Sequence, residues 1–173
     1  MPVLIVGTYA EDGTPDAMNA AYGSLSDSDQ VSLYLSAGHK TVANIKHSKA
    51  FTVAIADEKH VVPCDYVGIV SANTDKAKME KSGFTLTKSK NVNAPVIEDL
   101  PLTVECVLDY IDEKSGAVYG KIVNVIADES VLTNGEVDMS KLNPISYDPA
   151  SNGYFVIGKK VGTAFHDGKA LKK

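Results

Sequence analysis

The feature that most constrains the fold is a pair of long strand patterns joined by a short turn. In the first pattern, apolar or aromatic residues at every second position share one face: Leu102, Val104, Cys106, Leu108 and Tyr110. Residues 113–116 read Glu-Lys-Ser-Gly, a turn composition, and residues 117–128 are again rich in β-branched residues. The pattern predicts a long antiparallel hairpin.

Shorter strand patterns lie on either side of this hairpin. They are the apolar or alternating runs at residues 3–9, 17–24, 31–37, 51–55 and 154–157. The sequence Asp-Gly-Thr-Pro at residues 12–15 joins the first two of them, which predicts a second hairpin. Strands therefore account for most of the regular structure that we expect.

Helix patterns are short and fall between the strands. We expect helices at residues 42–49, 65–71, 75–82 and 138–142, and a last turn at residues 167–169. Thr41 and Thr74 carry hydroxyls that suit the N-caps of the first and third helices, and Gly83 suits the end of the third.

Together these elements predict a mainly β fold, a barrel with short helical insertions. Strands and helices do not alternate, which argues against a doubly wound parallel sheet. No repeat, low-complexity tract or linker interrupts the sequence, so we expect residues 1–173 to form a single domain.

Composition excludes several classes of function. With 44% hydrophobic and 23% charged residues, the chain has the composition of a folded domain rather than a disordered one. The net charge of −5 argues against a nucleic-acid partner, because such binding depends on neutralising phosphates. No apolar run reaches the ~18 residues of a membrane span, and the first residues lack a signal-peptide pattern. We therefore expect a cytoplasmic protein without a membrane partner.

Nucleotide and metal motifs are absent or incomplete. The sequence contains no GxGxxG or HExxH pattern, and residues 153–160 match a phosphate-binding loop except at Lys160, which lacks the required hydroxyl. His60 and Cys64 form a single pair of potential ligands, so no metal is expected. We interpret Cys64 and Cys106 as structural residues; a disulfide between them stays open, although a cytoplasmic chain usually keeps its thiols reduced.

Two short stretches carry the chemical hypothesis. Residues 18–21, Met-Asn-Ala-Ala, are mostly small and lie in a strand pattern, so a flat ring can lie against the strand and reach its backbone groups. Residues 36–41, Ser-Ala-Gly-His-Lys-Thr, end one strand pattern and begin a helix, whose first N–H groups favour a phosphate. A strand for the ring and a helix start for the phosphate suit FMN.

Plainer interpretations of the same residues stay open. Asn19 can satisfy backbone groups near a turn, Thr41 can act only as a helix cap, and Lys40 can be a solvated surface cation. The sequence contains no Arg, so any phosphate must be held by Lys, hydroxyls and backbone N–H groups rather than by a bidentate guanidinium.

Several motifs, in the same order, resemble the flavin-reductase-like, FMN-binding split-barrel family. They are Met-Asn-Ala-Ala-Tyr-Gly-Ser at 18–24, Gly-His-Lys-Thr-Val-Ala-Asn-Ile at 38–45, Phe-Thr-Val-Ala-Ile at 51–55 and Ala-Pro-Val-Ile at 94–97. The resemblance covers roughly residues 3–125. It implies a split β-barrel and a homodimer with FMN at the interface. Many members of that family hold the phosphate with Arg, for which Lys40 must substitute here.

The resemblance also implies the role of each candidate residue. Met18, Asn19, Ala20 and Ala21 are expected along the flavin, and Ser36, His39, Lys40 and Thr41 around its phosphate. No catalytic residue is assigned, because flavin chemistry belongs to the cofactor.

The implied function is that of an FMN-dependent oxidoreductase. Electrons would pass from NAD(P)H or a protein donor through FMN to an acceptor. Three alternatives stay open: a flavoredoxin-type carrier without NAD(P)H activity that docks on redox partner proteins, an amine-oxidising relative resembling the pyridoxamine-phosphate oxidases, and a non-enzymatic barrel that binds a small ligand.

Overall fold

The computed structural model describes residues 1–172 and consists mainly of β-strands. The strands are β1 (Leu4–Tyr9), β2 (Pro15–Ala20), β3 (Gly23–Asp27), β4 (Gln30–Tyr34), β5 (Ala50–Ile55), β6 (Leu86–Lys88), β7 (Pro95–Ile97), β8 (Leu102–Asp112), β9 (Ala117–Ala127), β10 (Leu132–Thr133), β11 (Glu136–Val137), β12 (Ile145–Asp148) and β13 (Gly153–Val156). The helices are α1 (Lys40–Ser48), α2 (Val61–Ile69), α3 (Lys78–Ser82) and α4 (Met139–Leu142), with 3₁₀ turns at Glu58–His60, Glu129–Val131 and Asp167–Leu171. None of the helices within residues 1–172 has the length and apolar character needed to cross a membrane.

Seven strands form one antiparallel sheet in the order β2-β1-β5-β8-β9-β4-β3. Strands β2 and β3 are its two outermost members, yet only Ala21 and Tyr22 separate them along the chain. Three residue steps span at most about 11 Å, so the two edges of the sheet must come together at this point. The sheet therefore curls into a half-barrel, which confirms the mainly β, split-barrel fold.

Apolar side chains pack on both faces of the curled sheet. Inside the barrel, Leu33, Phe51 and Val118 pack against one another and against Ile45 of helix α1. On the outer face, Ile5 and Ala17 pack against Val67 of helix α2, and α3 extends the same cluster. Because successive side chains of a strand point to opposite faces, β1 and β2 contribute to both clusters. Helices α1 and α2 are thereby held on opposite sides of β2.

The long hairpin is confirmed as strands β8 and β9, but two β-bulges disturb its alternation. One bulge lies at Glu105 and Cys106 and leaves the Glu105 side chain fully buried. Asn91 Nδ2 and Asn124 Nδ2 each donate to Glu105 Oε2 at 2.6 Å, and the Ser89 hydroxyl donates to Oε1. Burial opposes ionisation, but these hydrogen bonds hold the pKa of Glu105 below its ordinary value.

The expectation of one strand at residues 17–24 is wrong. Strand β2 ends at Ala20, and β3 begins at Gly23 and pairs with β4 at the other edge of the sheet. Tyr34 N donates to Tyr22 O at 2.8 Å, so the chain has already changed partner by residue 22. Residues 21–22 therefore cross from one sheet edge to the other.

Both expected threonine caps are also wrong. Helix α1 begins at Lys40 with His39 as its N-cap residue, and Thr41 lies one residue inside the helix with its side chain buried. Helix α3 begins at Lys78, because residues 71–77 form turns in which the Thr74 hydroxyl donates to Ser71 O. Gly83 ends α3 in a left-handed conformation with φ 74°, as predicted.

The two cysteines are buried, free thiols within the described residues. Burial raises the pKa of both to about 12, with smaller contributions from the neighbouring carboxylates Asp57 and Glu105. A thiol with so high a pKa is a poor nucleophile at neutral pH, which agrees with a structural role.

Candidate cofactor site

Two adjoining cavities lie along the free edge of strand β2. The edge cavity, of about 440 Å³, is bordered by residues 18–22 and by Tyr34, α2 and the β12–β13 hairpin. The helix-start cavity, of about 280 Å³, is bordered by residues 38–41, by the end of α2 and by Lys78. Met18, Asn19, His39, Gly68 and Ile69 border both cavities, so the two form one elongated groove.

Strand β2 offers backbone hydrogen-bonding groups to this groove. Within residues 1–172 it is the outermost strand of the sheet and pairs only with β1, so every second residue directs its N–H and C=O away from the sheet. Ala17 is one such residue, since its C=O accepts a hydrogen bond from Lys78 Nζ at 2.6 Å. By the same period, Asn19 presents its backbone N–H and C=O to the groove. These groups suit the polar edge of a planar heterocycle.

The side chain of Asn19 is held in place by helix α2 and strand β13. Asn19 Nδ2 donates to Cys64 O at 3.1 Å and to the Tyr154 hydroxyl at 3.4 Å. That hydroxyl in turn donates to Asp65 Oδ1 at 2.8 Å. Burial first, and then the Asp65 carboxylate, raises the pKa of Tyr154 to about 12, so this phenol stays protonated.

Gly68 allows helix α2 to lie directly on Asn19. A Cβ atom at position 68 would stand 2.9 Å from Asn19 Cβ, closer than real side chains approach. Only glycine therefore permits this helix–strand distance. The absent side chain therefore sets how closely α2 approaches β2 where both border the groove.

Aromatic side chains form the walls of the edge cavity. Tyr22 and Tyr34 are exposed on one side, and Tyr147 and Tyr154 lie on the other with ring centroids 5.8 Å apart. Ile69 is exposed at the mouth. Flat, mostly apolar walls with a few polar groups at the edge are typical of a site for a planar ligand.

The helix-start cavity favours an anion. The N–H groups of Lys40 and Thr41 have no partner within the helix, whereas Val42 N donates to His39 O at 3.1 Å, and the first turn contains no acidic residue. The positive end of the helix dipole and the Lys40 ammonium would both stabilise an anion bound in this cavity. This end of the groove suits a phosphate.

Lys78 adds a second cation, buried beneath this cavity. Its side chain is 3% exposed, and its Nζ lies 3.0 Å from Asp16 Oδ1. Because Asp16 balances its charge, Lys78 contributes shape and hydrogen bonding more than net charge. The net positive charge at the cavity therefore comes from Lys40 and the helix start.

The structure brings together seven of the eight residues that the sequence nominated. Met18, Asn19, Ala20 and Ala21 border the edge cavity, and His39, Lys40 and Thr41 border the helix-start cavity. Ser36 is exposed and lies outside the lining of both cavities; its C=O accepts from His39 N at 2.9 Å and so closes the turn before α1. The roles of these residues toward a ligand stay predictions.

Sequence reasoning missed the residues that complete the groove. Tyr147 and Tyr154 come from the β12–β13 hairpin, more than 120 residues from the motif, and no local pattern points to them. Gly68 and Lys78 were missed because glycine and lysine are ordinary on helices, and only the packing of α2 and α3 against β2 gives them a role. Tyr22 and Tyr34, which lie next to the two nominated stretches, were the only indication in the local sequence that aromatic side chains line the groove.

Comparison with known proteins agrees with the split-barrel fold. The family model described as flavin reductase like domain matches residues 1–150. The flavoredoxin of Desulfovibrio vulgaris (Miyazaki F) is 31% identical, with a TM-score of 0.93 over 97% of this chain and 92% of that one. A flavoredoxin from Methanosarcina acetivorans is 23% identical, with a TM-score of 0.91 over 99% and 92%. An FMN-binding domain of a flavin-reductase-like enzyme from Shewanella baltica is 19% identical, with a TM-score of 0.83 over 94% and 88%. A search of curated proteins found no match.

The fold and the groove define a split-barrel protein of the flavin-reductase-like, FMN-binding class. The family model spans most of the sequence, and the structural relatives are covered almost completely. The chain belongs to the flavin reductase like domain family.

Proposed function

We propose that the chain binds FMN in the groove and works as an oxidoreductase that passes electrons through it. The observation that carries the proposal is the continuity of the two cavities, which places the free edge of β2 beside the start of α1. The first suits a planar heterocycle and the second suits a phosphate, the two ends of FMN. When bound, FMN supplies hydride and single-electron transfer chemistry at its ring.

The chain's own residues bind and orient the cofactor in this proposal. The backbone groups of Asn19 meet the polar edge of the ring, and Ala20 and Ala21 leave room for its face. Lys40, Thr41 and the first N–H groups of α1 hold the phosphate, with His39 between the two ends. The hydrogen bonds from Asn19 through Tyr154 to Asp65 fix the edge of the groove.

We include a homodimer and a cytoplasmic location in the proposal. Tyr22, Tyr34 and Ile69 leave apolar surface exposed at the mouth of the edge cavity, which a second copy would cover. The electron donor is NAD(P)H or a protein. The likeness to flavoredoxins favours, as the second candidate, a carrier that accepts electrons only from a redox partner protein. Sedimentation velocity tests the dimer, and cell fractionation tests the location.

Retention of added FMN tests the cofactor site. The purified protein is mixed with FMN and desalted, and the visible absorption of the flavin is measured. We expect Lys40→Ala to weaken FMN affinity by roughly tenfold or more, the value of one charge-assisted hydrogen bond. Lys46→Ala is the matched control, because Lys46 lies in the same helix and pairs with Glu113 at 3.0 Å, away from the groove. Equal retention by the two variants would contradict the phosphate site, and absence of any flavin retention would contradict the proposed function.

Anaerobic reduction separates the two candidate functions. NADH or NADPH is added to the FMN-loaded protein, and the loss of flavin absorption is followed. Rapid bleaching indicates a nicotinamide-dependent reductase. A flavin that only dithionite or a protein donor reduces indicates a carrier.

A further inference from the structure

The last residues of the described chain form an arm that packs little against the rest of the protein. From Gly158 onward every residue of the described chain is exposed, and the last backbone hydrogen bond to the barrel runs from Ile157 N to Pro144 O. Within residues 1–172, the hydrogen bonds of residues 158–172 join arm residues to one another. We call residues 158–172 the arm.

The arm exposes apolar side chains almost completely. Val161 is 93% exposed, Phe165 is 99% exposed and Leu171 is 88% exposed. Single exposed apolar residues are ordinary on a protein surface, but three in one short segment with no cover form an unsatisfied apolar surface. Such a segment is stable in water when another surface covers it.

Hydrogen bonds within the turn that carries Phe165 hold it in one conformation. Asp167 Oδ2 accepts from Thr163 N at 2.8 Å, and Asp167 N donates to Thr163 O at 3.1 Å. A Cβ atom at Gly162 would stand 2.7 Å from Asp167 Oδ2, so a larger residue there would displace the Asp167 carboxylate. The turn holds its geometry without help from the barrel.

Phe165 adopts a conformation that bulky residues avoid. Its φ is 58°, in the left-handed region, where the Cβ atom crowds the backbone. Strain of this kind persists where it serves recognition or mechanism. Here it points a large aromatic ring into solvent from a fixed turn, the geometry of an anchor that fills a pocket on another surface.

Charge identifies the surface that fits the arm. The arm, residues 158–172, contains four lysines and one aspartate, a net charge of +3, whereas residues 1–157 carry a net charge of −9. The arm is therefore the basic complement of its own acidic barrel. The barrel, which is acidic as a whole, also exposes apolar side chains at the mouth of the edge cavity, Tyr22, Tyr34 and Ile69, so one chain carries an apolar basic arm and an apolar surface on an acidic barrel.

We propose that the arm docks on the barrel of a second copy of this chain, with Phe165 as its apolar anchor. Because each copy carries both an arm and an acidic barrel, two copies can exchange arms around a two-fold axis, as isologous dimers do. The inference names a segment that makes the homodimer included in the proposed function. It does not depend on bound flavin.

Photo-cross-linking identifies what the arm touches. The full chain is made with p-benzoylphenylalanine in place of Phe165, irradiated with an excess of serum albumin present, and separated on a denaturing gel. We expect a cross-linked dimer of this chain and no albumin adduct. Cross-links confined within one chain, or equally frequent to albumin, would overturn the proposal.

Sedimentation equilibrium measures how much the anchor contributes. Phe165→Ser should raise the dissociation constant of the dimer by roughly tenfold or more, as loss of one buried aromatic ring implies, and 1 M NaCl should also weaken it. Phe165→Leu, which keeps an apolar side chain, should stay within about threefold. The side chain is 99% exposed, so the thermal midpoint of a dilute sample should not change. A chain that is monomeric at all concentrations, or equal dissociation constants for Phe165→Ser and Phe165→Leu, would refute the proposed docking of the arm. Loss of FMN retention with intact cross-linking would refute only the proposed flavin site.

Discussion

Lys78 offers a direct test of how the helix-start cavity is supported. The Lys78 and Asp16 side chains are each 3% exposed, their charged atoms lie 3.0 Å apart, and Lys78 Nζ also donates to Ala17 O at 2.6 Å. Lys78→Met keeps the length of the side chain but leaves the Asp16 carboxylate buried without a counter-ion. Removing one partner of a buried pair costs about 3–5 kcal/mol of unfolding free energy. In a domain of this size that lowers the thermal midpoint by roughly 6–20 °C.

Lys81 provides the matched control on the same helix. Its ammonium lies 2.7 Å from Asp75 Oδ2, but the Lys81 side chain is 58% exposed, and pairs in water contribute only about 0–1 kcal/mol. Urea unfolding of the flavin-free protein, followed by circular dichroism, gives both free-energy differences. The double variant Asp16→Asn with Lys78→Met should recover much of the loss, because no buried charge is then left alone. If Lys78→Met costs no more than Lys81→Met, the ion pair is not the support that we describe.

The remaining predictions concern the groove, the thiols and the long hairpin. Gly68→Ala should weaken FMN affinity by roughly tenfold or more, because its Cβ would stand 2.9 Å from Asn19 Cβ. Lys46→Ala, which lies away from the groove, is again the control, and equal affinities would show that α2 can shift freely. Ellman's reagent at pH 8 should label neither cysteine in the folded protein and both in urea, because burial raises the pKa of each thiol to about 12; labelling in the folded state would mean that the outer or inner core opens readily. Glu105→Gln should destabilise the protein at pH 7. Because hydrogen bonds hold the pKa of Glu105 below its ordinary value, the difference from the wild type should shrink as the pH falls through the acidic range below that value; a pH-independent difference in urea unfolding would exclude the ionised carboxylate as its source.

The sequence predicts those parts of the fold that depend on local patterns. Strands β8 and β9 were predictable because alternation and turn composition extend over more than 20 residues. Helix α2 was predicted to begin at residue 65, whereas it begins at Val61. Pro63 lies in the first turn of α2, where its missing N–H has no helical partner to lose, so it does not prevent this earlier start.

Features that depend on distant contacts were not predictable from local sequence. The change of sheet edge at Ala21 and Tyr22 looks like one continuous strand, because nothing local records which strand lies alongside. Seven of the nominated residues border the groove and Ser36 does not, and their roles toward a ligand stay predictions. The wall of the groove formed by Tyr147 and Tyr154 was not predictable, because these residues reach β2 only through the path of the whole chain. Lys78 looks like a surface residue until Asp16 is placed opposite it.

The short link at Ala21 and Tyr22 also marks the seam along which the half-barrel is most open to other molecules. The half-barrel is closed there by two residues and not by a row of hydrogen bonds, and the unpaired edge of β2 lies beside this gap. An unpaired edge is a template for β-strands of other molecules. We expect bound FMN to fill this gap and cover the edge of β2. Protein without FMN should therefore aggregate into insoluble β-rich material sooner than FMN-loaded protein. The availability of flavin would then set the lifetime of the protein as well as its redox capacity.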